Sequence, residues 1–167
     1  MVHSARTNDA SDNDWVTNGG GHDVNHKYGH GAIDAGLAVH IARNWTNVNP
    51  EYNWSTGEID ISQSIPDNTA NGLSDSVTVD AGLLVESVEV RFDADHTYRG
   101  DLEITLTSPD GTKSRMAEKH EDNNNNFNEW VFSSVLHWDE SSDGVWTLEV
   151  NDRGNGDTGT WNHWELV

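Results

Sequence analysis

Past Pro50 the apolar residues fall on every second position, and that spacing restricts the fold more than any other feature of the chain. Ile59/Ile61, Val77/Val79, Val88/Val90/Phe92, Leu102/Ile104/Leu106, Trp130/Phe132 and Trp146/Leu148/Val150 each alternate with polar residues. Successive side chains of a strand point to opposite faces, so each run reads as a half-buried strand. Turn-forming clusters separate the runs: Pro66-Asp67-Asn68, Ser108-Pro109-Asp110-Gly111, 122–126, 141–144 and 154–159. Many short strands with turns and no helices between them predict a mainly β chain, an antiparallel β-sandwich of jelly-roll type.

Before Pro50 the pattern differs. Ile33, Leu37, Ile41 and Trp45 recur every fourth position among Ala35, Ala38 and Ala42, which predicts a helix over 31–45. Asp34 falls in its first turn, where a carboxylate suits the positive end of the helix dipole. Asn8 to His26 is rich in Asn, Asp and Gly and reads as loop. Asn49-Pro50 ends the helix, because the residue before proline is pushed out of the helical region. The expected organisation is a short N-terminal helical appendage, residues 1–50, on a sandwich, residues 51–167.

Charge narrows the partners. With 29 Asp and Glu against 9 Lys and Arg, the formal charge is −20. Nucleic-acid affinity rests on clustered cationic side chains, so no nucleic-acid partner is expected. There is no cysteine, which excludes disulfides, thiolate metal sites and Cys nucleophiles. No stretch has the roughly 20 apolar residues of a membrane helix, so no membrane span is expected. The start of the chain lacks the pattern of a secretory signal, and a longer parent polypeptide is expected. Self-repulsion at this charge would be relieved by a bound cation such as calcium, or the carboxylates form a solvated surface with no ion.

Several constellations could carry chemistry. His22, His26 and His30 recur every fourth position, which on a helix would gather imidazoles as at a zinc site, but they lie ahead of the predicted helix and are expected to be structural or solvent-facing rather than a metal site. Calcium takes six to eight oxygens, and Asp93, Asp95 and Asp101 near one strand junction are the candidate ligands. Asp101 could instead accept hydrogen bonds from loop amides, and Asp139/Glu140 could cap a turn. Arg99-Gly100-Asp101 spells an adhesion tripeptide that a turn before a strand also explains. Asn44-Trp45-Thr46 and Asn53-Trp54-Ser55 match the glycosylation acceptor pattern. Trp130 and Trp146 are in phase with apolar neighbours and are expected in the core; Trp161 and Trp164 fit either the core or an aromatic platform for a sugar.

Longer blocks carry a family resemblance. Asp14-Trp15, Thr17-Asn18-Gly19, 26–31, Asp34-Ala35-Gly36 and 42–46 resemble the closing segment of the catalytic domain in kexin- and furin-like subtilases. The block 96–114, with Phe127-Asn128-Glu129-Trp130-Val131-Phe132, His137-Trp138-Asp139-Glu140, 144–150, Gly159-Thr160-Trp161 and Trp164-Glu165-Leu166, resembles the P domain, or homo B domain, that follows it. The resemblance implies that 1–50 is the end of a subtilisin-like catalytic domain and 51–167 a P domain. In this family the catalytic Asp, His and Ser lie upstream of such a segment, and no Gly-Thr-Ser or Gly-x-Ser-x-Gly stands in this chain. The chain alone is therefore expected to be catalytically silent, cut from a calcium-dependent serine endopeptidase of the secretory pathway. Its implied role is to pack against the catalytic domain in cis, stabilise it, and tune its calcium and pH dependence. The alternative is a free-standing, calcium-dependent adhesion or carbohydrate-binding sandwich module. The helix is expected to be the least stable element, because most of its apolar face would belong to the absent catalytic core.

Overall fold

In the computed structural model, which describes residues 1–69 and 71–167, two four-stranded antiparallel sheets form after residue 58. Ahead of them lie a 3-10 turn (Val2–Ser4), four two-residue strands, β1 (Ala5–Arg6), β2 (Val16–Thr17), β3 (Asp23–Val24) and β4 (Ala32–Ile33), and one α-helix, α1 (Ala35–Ala42). The sandwich strands are β5 (Ile59–Ile65), β6 (Leu73–Val79), β7 (Val88–His96), β8 (Leu102–Thr107), β9 (Lys113–Ala117), β10 (Phe127–Ser134), β11 (Gly144–Asp152) and β12 (Gly159–Leu166). One sheet runs β10-β7-β12-β5 and the other β6-β11-β8-β9.

Alternation fixes which face of each strand is inside. Val88, Val90, Phe92, Ala94 and His96 of β7, Leu102, Ile104 and Leu106 of β8, and Trp146, Leu148 and Val150 of β11 are all buried. Phe92 sits among Phe127, Phe132 and Trp161, with ring centroids 5.7, 6.4 and 6.0 Å away. Trp161 and Trp164 are both fully buried, although they stand three apart. The pairing of β12 with its neighbours shifts between Trp161 and His163, and this bulge turns both rings inward.

Three expectations need correcting. The helix is shorter than 31–45: Ile33 pairs with Ala5 in the β1/β4 ladder, and Asp34 is the N-cap, its carboxylate accepting from Leu37 N at 2.8 Å. The loop before it contains a small hairpin, Val16 opposite Val24 and Thr17 opposite Asp23. Trp130 is not in the core but 42% exposed on the edge strand β10. A register shift between Phe127 and Trp130, with Glu129 at φ 47, gives the inward place to Phe127 and leaves Trp130 outside, its ring 5.1 Å from the Arg99 guanidinium carbon.

Candidate functional site at the joint between segment and sandwich

The joint is built around Asn18, which is buried, and a buried amide must find partners for its polar atoms. Its Oδ1 accepts from His22 N at 2.9 Å, and its carbonyl accepts from Gly21 N at 3.0 Å, which curls 18–22 into a tight loop. Its Nδ2 donates across to the carbonyls of Leu136 and Trp138, both at 2.9 Å, in the turn between β10 and β11. The loop lies so close to the sandwich that a Cβ on Gly19 would come 2.0 Å from Asp110 Oδ2, and one on Gly20 2.5 Å from the Trp138 carbonyl. Glycine at both positions is a steric requirement of the contact.

Glu140 anchors the other side. Its side chain is fully buried, and Oε1 accepts from Gly19 N at 2.9 Å and from the Thr112 hydroxyl, while Oε2 faces His137 Nδ1 at 3.3 Å. Burial pushes its pKa up, but hydrogen bonds from His137, Thr112 and the Gly19 amide outweigh it and hold the carboxyl at about 2. Two further side-chain pairs cross the joint: His22 Nε2 lies 2.9 Å from Asp139 Oδ2, and His26 Nε2 bonds Glu118. His30 Nε2 donates to the Val135 carbonyl at 3.0 Å.

The site residues read from the sequence are placed otherwise. Asp93 and Asp95 lie on the outward face of β7 and share the Asn162 amide, at 2.8 and 3.4 Å. Asp93 Oδ2 also accepts from Glu129 N at 3.0 Å. Asp101 is buried in the turn before β8, 3.3 Å from Lys119 Nζ and pressed on Gly154, where a Cβ would come 1.8 Å from Oδ2. Among the described residues the three do not close into one ligand cluster. Their oxygens already face an ammonium, an amide and a backbone N–H, and as a set they do not fit a calcium cage of six to eight oxygens. In Arg99-Gly100-Asp101, Gly100 and Asp101 are buried in that turn and Arg99 Nε bonds Asp122 Oδ2 at 2.8 Å, so the tripeptide is not displayed. The rings of Trp146, Trp161 and Trp164 are buried, so they offer no platform for a sugar.

Alone, this geometry describes a segment clamped to a sandwich. The sequence profile of the family described as Proprotein convertase P-domain matches residues 85–167. The chain carries a proprotein convertase P domain. Bovine furin is 35% identical across all of this chain, and the dibasic-processing endoprotease of Schizosaccharomyces pombe is 34% identical over 92% of it. The chain spans only 22% and 24% of those two proteins. A solved serine protease of Aeromonas sobria, in complex with the chaperone ORF2, superposes on 99% of the chain with a TM-score of 0.89 at 22% identity, over 38% of its own length. That likeness shows that the fold of this chain recurs within that serine protease.

Proposed function

We propose that residues 1–50 close the catalytic domain of a furin- and kexin-like serine endopeptidase, that residues 51–167 are its P domain, and that the pair performs no hydrolysis alone. Its role is to dock on the rest of the catalytic domain in cis and stabilise it, in a protease of the secretory pathway. One observation carries this reading: α1 buries none of its residues. Ile33, Leu37, Val39 and Trp45 stand 43–59% exposed on one short stretch. A helix of eight residues is marginal in water without a covered face. The family relatives are four to five times longer, and in this reading the rest of the catalytic domain covers the helix.

Calcium dependence belongs, in this reading, to the assembled protease and not to Asp93, Asp95 and Asp101. In the same reading the P domain also tunes the pH dependence of the assembled protease. The test compares the parent protease with and without residues 51–167. Deletion is expected to lower its melting temperature and its activity on dibasic fluorogenic peptides, while the 167-residue chain alone turns over none. Unchanged melting and activity after deletion would overturn the docking role.

A further inference from the structure

At the rim of the joint, His3, His22 and Asp139 bring two imidazoles and a carboxylate together from three separate parts of the chain. Their ligand atoms all lie within 4.8 Å of one another. His22 Nε2 is 2.9 Å and His3 Nε2 3.6 Å from the same Asp139 Oδ2, and the two rings meet edge to face with centroids 5.0 Å apart. We propose that these three side chains form a zinc site that fastens the N-terminal segment to the P domain.

The distances fit that ion. Bonds of about 2.0–2.1 Å arranged tetrahedrally separate neighbouring ligand atoms by about 3.3 Å. The two measured separations lie on either side of this value, so small side-chain rotations suffice to seat the metal. Imidazole nitrogen with one carboxylate is a zinc donor set, whereas calcium and magnesium require oxygen ligands. Three protein ligands leave a fourth position for water.

A second observation lies beside the trio. The ring of His30 stands 6.1 Å from that of His22, edge to face. Because its Nε2 donates to the Val135 carbonyl, its Nδ1 carries a lone pair, and that atom is buried without a hydrogen-bond partner among the described residues. An unmet ring nitrogen on the histidine that packs edge to face on the ligand His22 is suited to a metal-bound water. Of the three histidines at four-residue spacing, His22 thus serves as a ligand and His30 flanks the site, while His26 is engaged by Glu118.

Zinc binding here stands whether or not the docking role does. The 167-residue chain, freed of metal by chelation, is titrated with zinc chloride by calorimetry and followed by thermal melting. One zinc per chain is expected, with a melting temperature raised by several degrees that equimolar calcium does not reproduce. His22→Ala and Asp139→Asn should each weaken binding by more than about tenfold. His163→Ala, in the separate Glu58/Glu129/His163 group, should leave it unchanged. Cobalt(II) bound to the unaltered chain should show the intense visible bands of a four-coordinate site. Failure to bind one zinc, weak six-coordinate cobalt bands, or binding that survives both His22→Ala and Asp139→Asn, as capture by the amino terminus and His3 would, overturns the proposal.

Discussion

Replacing Glu140 tests whether the joint is held by a buried charge. Its carboxylate accepts from Gly19 N, the Thr112 hydroxyl and His137 Nδ1 with no exposure to water. Glu140→Ala removes both acceptor oxygens at once and leaves all three donors unpaired. Removing one partner from a buried ionic group costs about 3–5 kcal/mol. The fall of its pKa from 4.5 to about 2 gives a separate figure of about 3 kcal/mol. The two agree on a loss of about 3–4 kcal/mol near neutral pH. Glu140→Gln keeps an acceptor for Gly19 and Thr112 but turns an amide toward His137, so it should cost about 1–2 kcal/mol. Because the folded pKa is depressed, the stabilisation by the ionised group is complete above 4.5 and is lost as pH falls toward about 2. The advantage of wild type over Glu140→Gln should therefore shrink across that window. Urea denaturation followed by tryptophan fluorescence measures both effects, and amide exchange at Gly19 reports whether the loop has come free. A loss below about 1 kcal/mol for Glu140→Ala, or a Glu140→Gln difference that does not change with pH, would refute the reasoning.

Trp164 is fully buried with Nε1 donating to Asp75 Oδ2 at 2.9 Å, so Trp164→Ala should cost about 3–5 kcal/mol in the same urea assay. Burial works against the charged ring of His163, but its bond to Glu129 and the charges of Glu58, Glu129 and Asp93 prevail and raise its pKa. Its contribution is then complete below about 6.5 and is lost as pH rises through the raised value; melting curves of His163→Gln should lack that alkaline decline. The −20 charge predicts that added salt stabilises the chain by screening. Sodium and calcium chloride at matched ionic strength should give coincident melting temperatures, and an extra rise of several degrees with calcium would restore Asp93, Asp95 and Asp101 as ligands.

Strands were legible where alternation runs unbroken: β7, β8 and β11 bury the residues that their period assigns. Legibility fails at bulges. One extra residue in β12 spaces Trp161 and Trp164 by three, and the irregularity before Trp130 exchanges its place with Phe127. The helix was overextended because Ile33 keeps the helical phase while its backbone pairs with Ala5. At the joint, Glu140 and Gly19 lie 121 positions apart, and no local pattern links them. The three glycines 19–21 and the polar run 137–140 were the visible signals, each readable as an ordinary turn. The placement of Asp93 and Asp95 was legible for a simpler reason, since strand alternation alone sends both to the outer face of β7.

The position of β12 constrains the order in which this domain can be made. It lies between β7 and β5, hydrogen-bonded to both, and brings Trp161, Trp164 and Leu166 into the core. During synthesis, β5 leaves the ribosome about 100 residues before β12, its one sheet neighbour among the described residues. Until then β7 can pair with β10 alone, and the core is open where both tryptophans belong. Pairing across such a separation is slow and exposes apolar edges meanwhile. The nascent domain is therefore exposed to aggregation until β12 is complete, and a stop codon or cleavage before Trp161 would separate β5 from β7 and leave the core without Trp161, Trp164 and Leu166.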